Sequence, residues 1–281
     1  MTEPGWRVAL ISTVPPVAEI MTKALRDLGH EPVAVITARQ KEPIPERPSI
    51  SDETAPAGLD VLLARDKWSM EPMLRAANPD LALCWGFPWR IPQAALEVPR
   101  LGSVNCHPAL LPRHRGPIPM AWAIRDGDGR YGVTWHRMDS ELDTGPILAQ
   151  ASVPMEDDDF EITDVGPRIG AVAVGLLPQV LSRVAAGDPG DPQPAEGVTW
   201  AGHFGDDYAE VDWSLPARRV HDQVRAWGFT FGLSPVVGPI ATVDGQRVRL
   251  IRTSLADPGG GAKRVECGDG PLWIVASEAM P

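Results

Sequence analysis

Apolar and polar positions alternate in two rhythms along the first third of the chain. The short runs RVALIS (7–12) and PVAVIT (32–37) are rich in β-branched residues. Between them, apolar residues recur at helical spacing from Val17 to Leu28, and Gly29 follows. This order of strand, helix and strand predicts a parallel pair of strands with helices packed on the faces of the sheet.

The same rhythm continues to the middle of the chain. The proline-rich, charged segment 41–56 is typical of a loop, and a helix is predicted from Trp68 to Ala77. Further apolar runs, which we interpret as strands, are LALCW (81–85), GSVNC (102–106), YGVTWHRM (131–138) and PILAQASV (146–153). The pattern predicts an α/β fold with a mostly parallel sheet of about six or more strands.

The character of the chain changes near residue 187. A long helix rich in alanine and valine is predicted over 162–186, and the segment GDPGDPQPAEG after it is typical of a linker or exposed loop. A helix (ARRVHDQVRAW) and short strands follow, with Asp-Gly hairpin signals at 244–245 and 269–270. We therefore predict a large domain at 1–186, a linker at 187–207, and a small β-barrel or β-sandwich at 208–281.

Composition narrows the class of protein. The chain has 281 residues, 43% of them hydrophobic, and a formal net charge of −11. It has no run of eighteen apolar residues and no basic segment before a short apolar one at its start, so we expect neither a membrane span nor export. Its three scattered cysteines, Cys84, Cys106 and Cys267, indicate neither a disulfide framework nor a zinc site. We expect a cytoplasmic protein without a metal, whose net charge repels a large polyanion on average unless its positive residues are gathered on one face.

Three polar residues are candidates for chemistry. Asn105 and His107 lie two positions apart at the end of a predicted strand, so their side chains point to the same side. Pro108 ends that strand and places His107 at the carboxyl edge of the sheet, where open α/β sheets bind ligands. Asp143 lies in the polar loop DSELDTG (139–145) between two predicted strands.

Each of these residues also has an ordinary interpretation when taken alone. His107 is then a structural histidine, Asn105 a turn former and Asp143 a turn cap. We interpret His136, on a predicted strand, as structural, with the alternative that it lines a substrate cleft. Cys106 should face away from its two neighbours by strand alternation, so we do not expect it to be a nucleophile.

The stretch 103–148 resembles the signature of a known family. It contains Asn105-x-His107-Pro-x-Leu-Leu-Pro, then Arg-Gly at 115–116, then Leu-Asp143-Thr-Gly. These motifs resemble those of the folate-dependent formyltransferases, which include methionyl-tRNA, glycinamide ribonucleotide and amino-sugar formyltransferases and the hydrolase domain of formyltetrahydrofolate dehydrogenase. Residues 1–186 are similar to the formyltransferase domain, and residues 210–227 resemble the entry into the C-terminal domain of the tRNA and amino-sugar members. The resemblance implies a Rossmann-like domain followed by a shortened, OB-like β-barrel.

The resemblance also implies an activity, the transfer of a formyl group from 10-formyltetrahydrofolate to a primary amine. Asn105 would stabilise the oxyanion of the tetrahedral intermediate. His107 would bond the same oxygen or shuttle protons, with Asp143 raising its basicity. Which of His107 and Asp143 takes the amine proton stays open.

The residues that would bind the formyl donor follow from the same resemblance. Two segments, 86–92 and 136–142, would hold the folate, mostly through backbone groups and two aromatic rings. The implied donor contacts are Gly86, Phe87, Trp89, Arg90, Ile91, Pro92, Met138, Asp139, Glu141 and Leu142. The predicted acceptor contacts are Arg113, Arg115, Gly116 and Pro117. Taken by themselves, Arg113, His114 and Arg115 are typical of a solvated basic loop, and the alternative is that one arginine meets a phosphate or carboxylate of the substrate.

The charge pattern bears on the acceptor. The tRNA-directed members carry basic residues in a loop after the second strand and in the interdomain linker, because they must neutralise phosphates. Here the corresponding loop, 38–53, has roughly balanced charge, and no Lys or Arg occurs in 184–217. That stretch holds seven carboxylates: Asp188, Asp191, Glu196, Asp206, Asp207, Glu210 and Asp212. We therefore predict a small-molecule amine acceptor, such as an amino-sugar nucleotide or N-hydroxyornithine.

Two alternatives stay open. The first is a methionyl-tRNA formyltransferase, because the C-terminal part is mildly basic at Arg247, Arg249, Arg252, Lys263 and Arg264. The second is a folate-binding protein or formyltetrahydrofolate hydrolase that transfers nothing. The oligomeric state is open, with a homodimer as one option.

Overall fold

The computed structural model describes residues 5–38, 50–51 and 54–280. Contacts divide the chain into two units. The first unit comprises Met1–Arg115, Gly132–Ser152 and Arg168–Val198, and the second comprises Gly116–Tyr131, Val153–Pro167 and Thr199–Pro281. The units interleave along the chain, and the domain boundaries predicted at 186 and 208 stay predictions. Most of the predicted charge-balanced loop, 38–53, lies outside the described residues.

Within the described part, seven strands form the sheet that dominates the first unit. They are β1 (Arg7–Ile11), β2 (Glu31–Ala38), β3 (Asp60–Ala64), β4 (Leu81–Cys84), β5 (Ser103–His107), β6 (Arg130–Arg137) and β7 (Ile147–Pro154). Their order is β3-β2-β1-β4-β5-β6-β7. Neighbours are parallel from β3 to β5, whereas β6 runs antiparallel to β5. The predicted mostly parallel sheet is confirmed.

Six α-helices, the fourth and sixth of which belong to the second unit, are found in the described residues. They are α1 (Pro15–Asp27), α2 (Met70–Ala77), α3 (Gln93–Leu96), α4 (Pro119–Asp126), α5 (Ile162–Ala185) and α6 (Ala217–Gly228), with 3₁₀ turns at Lys67–Ser69 and Asp206–Tyr208. Two prolines open α1, where their fixed φ suits the first turn, and Gly29 at φ 81° follows it. One wall of the core of the first unit is a cluster that includes Ile11, Ile36 and Leu74, each fully buried.

Helix α5 has the length and apolar composition of a membrane span, the one such helix in the described chain. Its pattern has another explanation, because its buried residues recur every three or four positions. They include Ile169, Ala173, Leu177 and Val180. Such a stripe is typical of a helix packed on a core, and Trp135 Nε1 of β6 donates a hydrogen bond to the Ala173 carbonyl over 3.0 Å.

The second unit contains a four-stranded antiparallel sheet. Its strands are β8 (Ile240–Val243), β9 (Gln246–Ser254), β10 (Lys263–Cys267) and β11 (Gly270–Ala279), in the order β10-β11-β9-β8. Asp244 and Gly245 form the first hairpin, both at positive φ as a type I′ turn requires. The second turn is residues 268–269, one position earlier than predicted, because Cys267 pairs with Gly270. Two register shifts bend β11, and the sheet is open, as expected for a shortened barrel.

Candidate active site

The end of β5 carries two of the predicted catalytic residues. Asn105 and His107 both approach Asp143, which lies in the loop between β6 and β7. Asn105 Nδ2 is 3.4 Å from Asp143 Oδ1, and His107 Nδ1 is 3.6 Å from Asp143 Oδ2. The structure therefore brings the three predicted residues together, with an amide, an imidazole and a carboxylate at the carboxyl edge of the sheet.

The loop that carries Asp143 has a constrained backbone. Asp143 has φ 57°, a left-handed conformation that aspartate tolerates better than most residues. At Gly145 a Cβ atom would lie 1.9 Å from the Arg137 carbonyl oxygen, so only glycine fits. Asp139 Oδ1 accepts hydrogen bonds from Glu141 N (3.0 Å) and Thr144 Oγ1 (2.7 Å). The glycine of the Asp-Thr-Gly motif thus allows β6 and β7 to approach closely beside the carboxylate.

The hydrogen bonds of His107 assign its protons. His107 is buried, and its Nε2–H donates to the His114 carbonyl over 2.8 Å. The other ring nitrogen, Nδ1, is the one that faces Asp143. Burial lowers the pKa of His107, and the nearby Asp143 opposes this effect. The imidazole is therefore neutral near pH 7, with the Nδ1 lone pair available for a proton.

His136 acts on the amide of Asn105. The two residues are directly opposite in the antiparallel pairing of β5 and β6. His136 Nδ1 lies 2.8 Å from the Arg137 carbonyl, to which it must donate, so its Nε2 accepts a hydrogen bond from Asn105 Nδ2 over 3.1 Å. From the sequence alone, His136 is interpreted as structural or as lining a substrate cleft. Its contact with Asn105 follows only from the register in which β5 and β6 pair.

The two segments predicted to hold the donor lie together. Phe87 and Trp89 pack edge to face, with ring centroids 5.4 Å apart, and both contact the same apolar cluster as Met138. Arg90 forms an ion pair with Glu141 over 2.7 Å. The remaining predicted donor contacts are Gly86 at φ 69°, buried Ile91, Pro92 at the start of α3, exposed Leu142, and Asp139, whose carboxylate bonds its own loop.

The basic loop after His107 differs in part from the solvated loop considered above. His114 is 2% exposed, and its carbonyl oxygen accepts a hydrogen bond from His107. Arg115 donates two hydrogen bonds to Gln193 Oε1, over 3.1 Å from Nε and 2.6 Å from Nη2. Arg113 is half-buried in the first unit, whereas Gly116 and Pro117 belong to the second. The acceptor roles of these residues stay predictions.

Neither cysteine near the site has the properties of a nucleophile. Burial raises the pKa of Cys84 and of Cys106, and the negative charge of Asp143 adds to the effect at Cys84. Among the residues that the structure describes, no group of three or more His, Cys, Asp or Glu side chains is arranged to hold a metal ion.

Comparison with known proteins identifies the family. A family model described as formyl transferase matches residues 7–181. A methionyl-tRNA formyltransferase of Pelobacter propionicus is 32% identical over 276 residues, which cover 90% of this chain and 82% of that protein.

Two solved structures share the fold. HypX from Aquifex aeolicus, in complex with tetrahydrofolic acid, has a TM-score of 0.70 at 19% identity over 98% of this chain, which spans 44% of HypX. WlaRD, a sugar 3N-formyl transferase solved in the presence of dTDP and 5-N-formyl-THF, has a TM-score of 0.65 at 16% identity, covering 98% of this chain and 97% of that one. The match of the family model to well over half of the chain, together with the Pelobacter relative, shows that the chain belongs to the folate-dependent formyl transferase family and is an N-formyltransferase.

Proposed function

We propose that the chain transfers a formyl group from 10-formyltetrahydrofolate to the primary amine or hydroxylamine of a small molecule. The observation that carries the proposal is the group of Asn105, His107 and Asp143 at the end of β5, with the carboxylate within 3.6 Å of both partners. Attack of an amine on a formyl carbon needs an oxyanion donor and a proton acceptor, and this group contains both.

The amide of Asn105 suits the oxyanion. One Nδ2 hydrogen is donated to His136 Nε2. The other points at Asp143 Oδ1 over 3.4 Å, which is long for a hydrogen bond. A formyl oxygen beside Asn105 can take this second hydrogen, and the bond strengthens as the oxygen becomes negative. The amide is thus oriented for the transition state before substrate binds.

His107 suits the proton transfer. Its Nδ1 accepts the proton that the amine loses, and Asp143 stabilises the resulting imidazolium from 3.6 Å. His107 then delivers the proton to the nitrogen from which the formyl group departs. This scheme assigns the first proton transfer to His107 and leaves Asp143 charged throughout.

The residues present fit a folate donor. Phe87, Trp89 and Met138 form an apolar wall on the core of the first unit, and flat aromatic rings pack well on such a wall. The backbone groups of the two segments provide polar contacts beside it. HypX, whose structure contains tetrahydrofolic acid, has the same fold and supports this assignment.

The charges of the second unit favour a small acceptor. Four of the five basic residues that suggested nucleic-acid binding form ion pairs: Arg247 with Glu210, Arg249 with Glu278, Lys263 with Asp244, and Arg264 with Glu266. The fifth, Arg252, lies over the Phe160 ring at 4.7 Å and donates to the Asp158 carbonyl. Paired cations offer little positive potential to phosphates. The sugar acceptor of WlaRD supports the same class of acceptor.

Initiator methionyl-tRNA is the second candidate acceptor. It is favoured by the Pelobacter relative, a methionyl-tRNA formyltransferase to which this chain is 32% identical over 90% of its length. The two candidates share the chemistry at Asn105, His107 and Asp143. They differ in the surface that meets the acceptor, and the cytoplasmic location expected from the sequence suits both.

A transfer assay tests the proposal. The protein is incubated with 10-formyltetrahydrofolate and one of three acceptors: an amino-sugar nucleotide, N-hydroxyornithine or charged initiator tRNA. Product mass and tetrahydrofolate release are followed. We expect a formylated small molecule, loss of product in His107→Ala, and normal transfer in His30→Ala, a control at the amino-terminal edge of β2. Formylation of the tRNA alone would favour the second candidate, and formate release without acceptor would indicate the hydrolase.

A further inference from the structure

Hydrogen bonds hold the segment that follows α5 beside β7, within the first unit. Asp191 and Ile147 exchange backbone hydrogen bonds in both directions, each 2.8 Å long. Arg183 Nε donates to Asp188 Oδ2 over 2.7 Å, and its two terminal nitrogens donate to the Asp191 carboxylate over 2.8 and 3.1 Å. The chain is thereby fixed beside β7 two residues before Gln193.

The side chain of Gln193 makes four hydrogen bonds. Its Nε2 donates to the carbonyl oxygens of Asp143 (2.8 Å) and Gly145 (2.9 Å), so both amide hydrogens are used. Its Oε1 accepts two hydrogen bonds from Arg115. A guanidinium has only donors, so Arg115 fixes the oxygen end of the amide and turns the nitrogen end toward the loop.

Asp143 lies in the loop between β6 and β7, outside both strands. Residue 143 has φ 57°, so the direction in which its side chain leaves the loop depends on this left-handed backbone conformation. The amide of Gln193 bridges the carbonyls on both sides of Thr144. Those two bonds fix the orientation of the segment from which the carboxylate reaches His107 and Asn105.

We propose that Gln193 is a positioning residue for formyl transfer, which holds the backbone of Asp143 and Gly145 and so aims the Asp143 carboxylate at His107 and Asn105. The proposal rests on the proposed function, because the role belongs to the same reaction. It also gives Arg115, predicted as an acceptor contact, a second role in orienting the Gln193 amide.

Two variants remove the bridge in different ways. Gln193→Met keeps the length of the side chain and loses all four hydrogen bonds. Gln193→Asn keeps an amide but is one methylene too short to bond both carbonyls, and it serves if the methionine variant does not fold. A misplaced catalytic group costs on the order of 10–10² in rate, so we expect kcat to fall by that factor, with KM for the donor changed less than about twofold.

Gln223 offers a matched control. Its Nε2 also bridges two carbonyls that are two residues apart, those of Tyr208 (2.8 Å) and Glu210 (3.0 Å), within the second unit. Gln223→Met should lower the melting temperature at least as much as Gln193→Met, because Gln223 is buried. It should leave the kcat of the folded enzyme unchanged.

The closing experiment does not depend on turnover. The pKa of His107 is measured by NMR titration of the imidazole in wild type and in the variants. Three titratable side chains influence this ring: Asp143, which raises its pKa, and His136 and His114, which lower it. Displacement of the Asp143 carboxylate should lower the pKa of His107 in Gln193→Met and Gln193→Asn but not in Gln223→Met.

Either result decides the role of Gln193. A lower pKa of His107 in the Gln193 variants alone supports the proposal even if wild type formylates none of the acceptors, in which case only the proposed function fails. An unchanged pKa of His107 in those variants overturns the proposal, whatever the rates are.

Discussion

At the scale of single residues, the amide of Asn105 is oriented by neighbours that do not react. His136 donates one ring hydrogen to the Arg137 carbonyl, which leaves its other nitrogen as an acceptor for Asn105. An amide held in this way needs little reorganisation when charge develops on a nearby oxygen. In the proposed scheme, His136 therefore contributes to stabilisation of the transition state through its hydrogen bond with Asn105.

The contribution of this amide can be measured with Asn105→Ala. Loss of one oxyanion donor costs on the order of 10²–10³ in kcat, and we expect a loss of that size with the donor KM nearly unchanged. The matched control is Asn78→Gly, at a residue with φ 44° where glycine fits the backbone, and it should keep full activity. A loss smaller than about tenfold in Asn105→Ala would remove Asn105 from the role of oxyanion donor.

The pH dependence of kcat tests His107. Burial lowers the pKa of His107 below its ordinary value, so the neutral ring persists at pH values where an exposed histidine is already charged. If the neutral ring accepts the amine proton, as proposed, kcat should be constant near pH 7 and fall only as the pH drops through a pKa below 6.5. Measurement of kcat from pH 5 to 8 with saturating substrates checks this. An acid limb centred above 6.5 would contradict it.

The sequence predicted the three residues that the structure brings together, but not the neighbours that contact them. Asn105, His107 and Asp143 follow from strand alternation, a proline and a glycine turn, which are all local signals. His136 and Gln193 depend on tertiary pairing. His136 faces Asn105 because β5 and β6 are antiparallel in one particular register, and Gln193 lies in a segment whose proline and glycine content predicts a linker.

At the scale of elements, α6 of the second unit holds the acidic segment 156–159 in place. His221 Nε2–H donates to the Asp157 carbonyl over 2.9 Å, and its Nδ1 accepts from Thr253 Oγ1 over 2.8 Å. Arg225 donates to the carbonyls of Asp159 and Glu156. Buried polar side chains thus satisfy carbonyls of a segment without regular structure.

His221 should make the stability of the second unit depend on pH. Burial lowers its pKa to about 4, from 6.5. Between these values the unfolded chain binds a proton that the folded chain does not, so the free energy of unfolding falls as the pH drops from 6.5 to 4, by at most about 3 kcal/mol. His221→Gln keeps a donor and an acceptor but does not titrate. Urea unfolding midpoints over this range should therefore vary less in the variant, and equal slopes would contradict the assignment.

Strands and helices could be predicted where their patterns of apolar and polar residues are clear. The strands around the site and the helices α1, α5 and α6 have clear periodicity. β3 was not predicted, because its run DVLLA lies at the edge of the sheet and is only partly buried. α3 has 4 residues, too few for a helical period to be recognised. α4 has 8 residues, of which Pro119, Met120, Ala121, Ala123 and Ile124 are buried, so its sequence shows no clear apolar stripe.

At the scale of the whole molecule, the distribution of charge bears on the choice between the two proposed acceptors. The net charge is −11, and the stretch 184–217 contributes seven carboxylates and no cation. In the second unit, Arg247 forms an ion pair with Glu210, and Arg249 forms one with Glu278. Surface ion pairs of this kind add little to the free energy of unfolding. Their main effect is to reduce the positive electrostatic potential that a polyanion would meet at the surface.

Binding of initiator tRNA tests this argument. At 0.15 M salt we expect wild type to retain charged initiator tRNA on filters no more tightly than non-specific binding, with Kd of about 10⁻⁴ to 10⁻⁶ M. The double variant Glu210→Gln, Glu278→Gln releases Arg247 and Arg249 from their pairs and changes the net charge by two. If the electrostatic potential of the surface alone limits binding, the affinity for tRNA should be higher in the variant than in wild type. The slope of log Kd against log salt concentration should also steepen, by about one for each released cation that contacts a phosphate. Tight binding by wild type, with a salt slope that indicates several phosphate contacts, would contradict the small-molecule assignment and favour initiator tRNA as the acceptor.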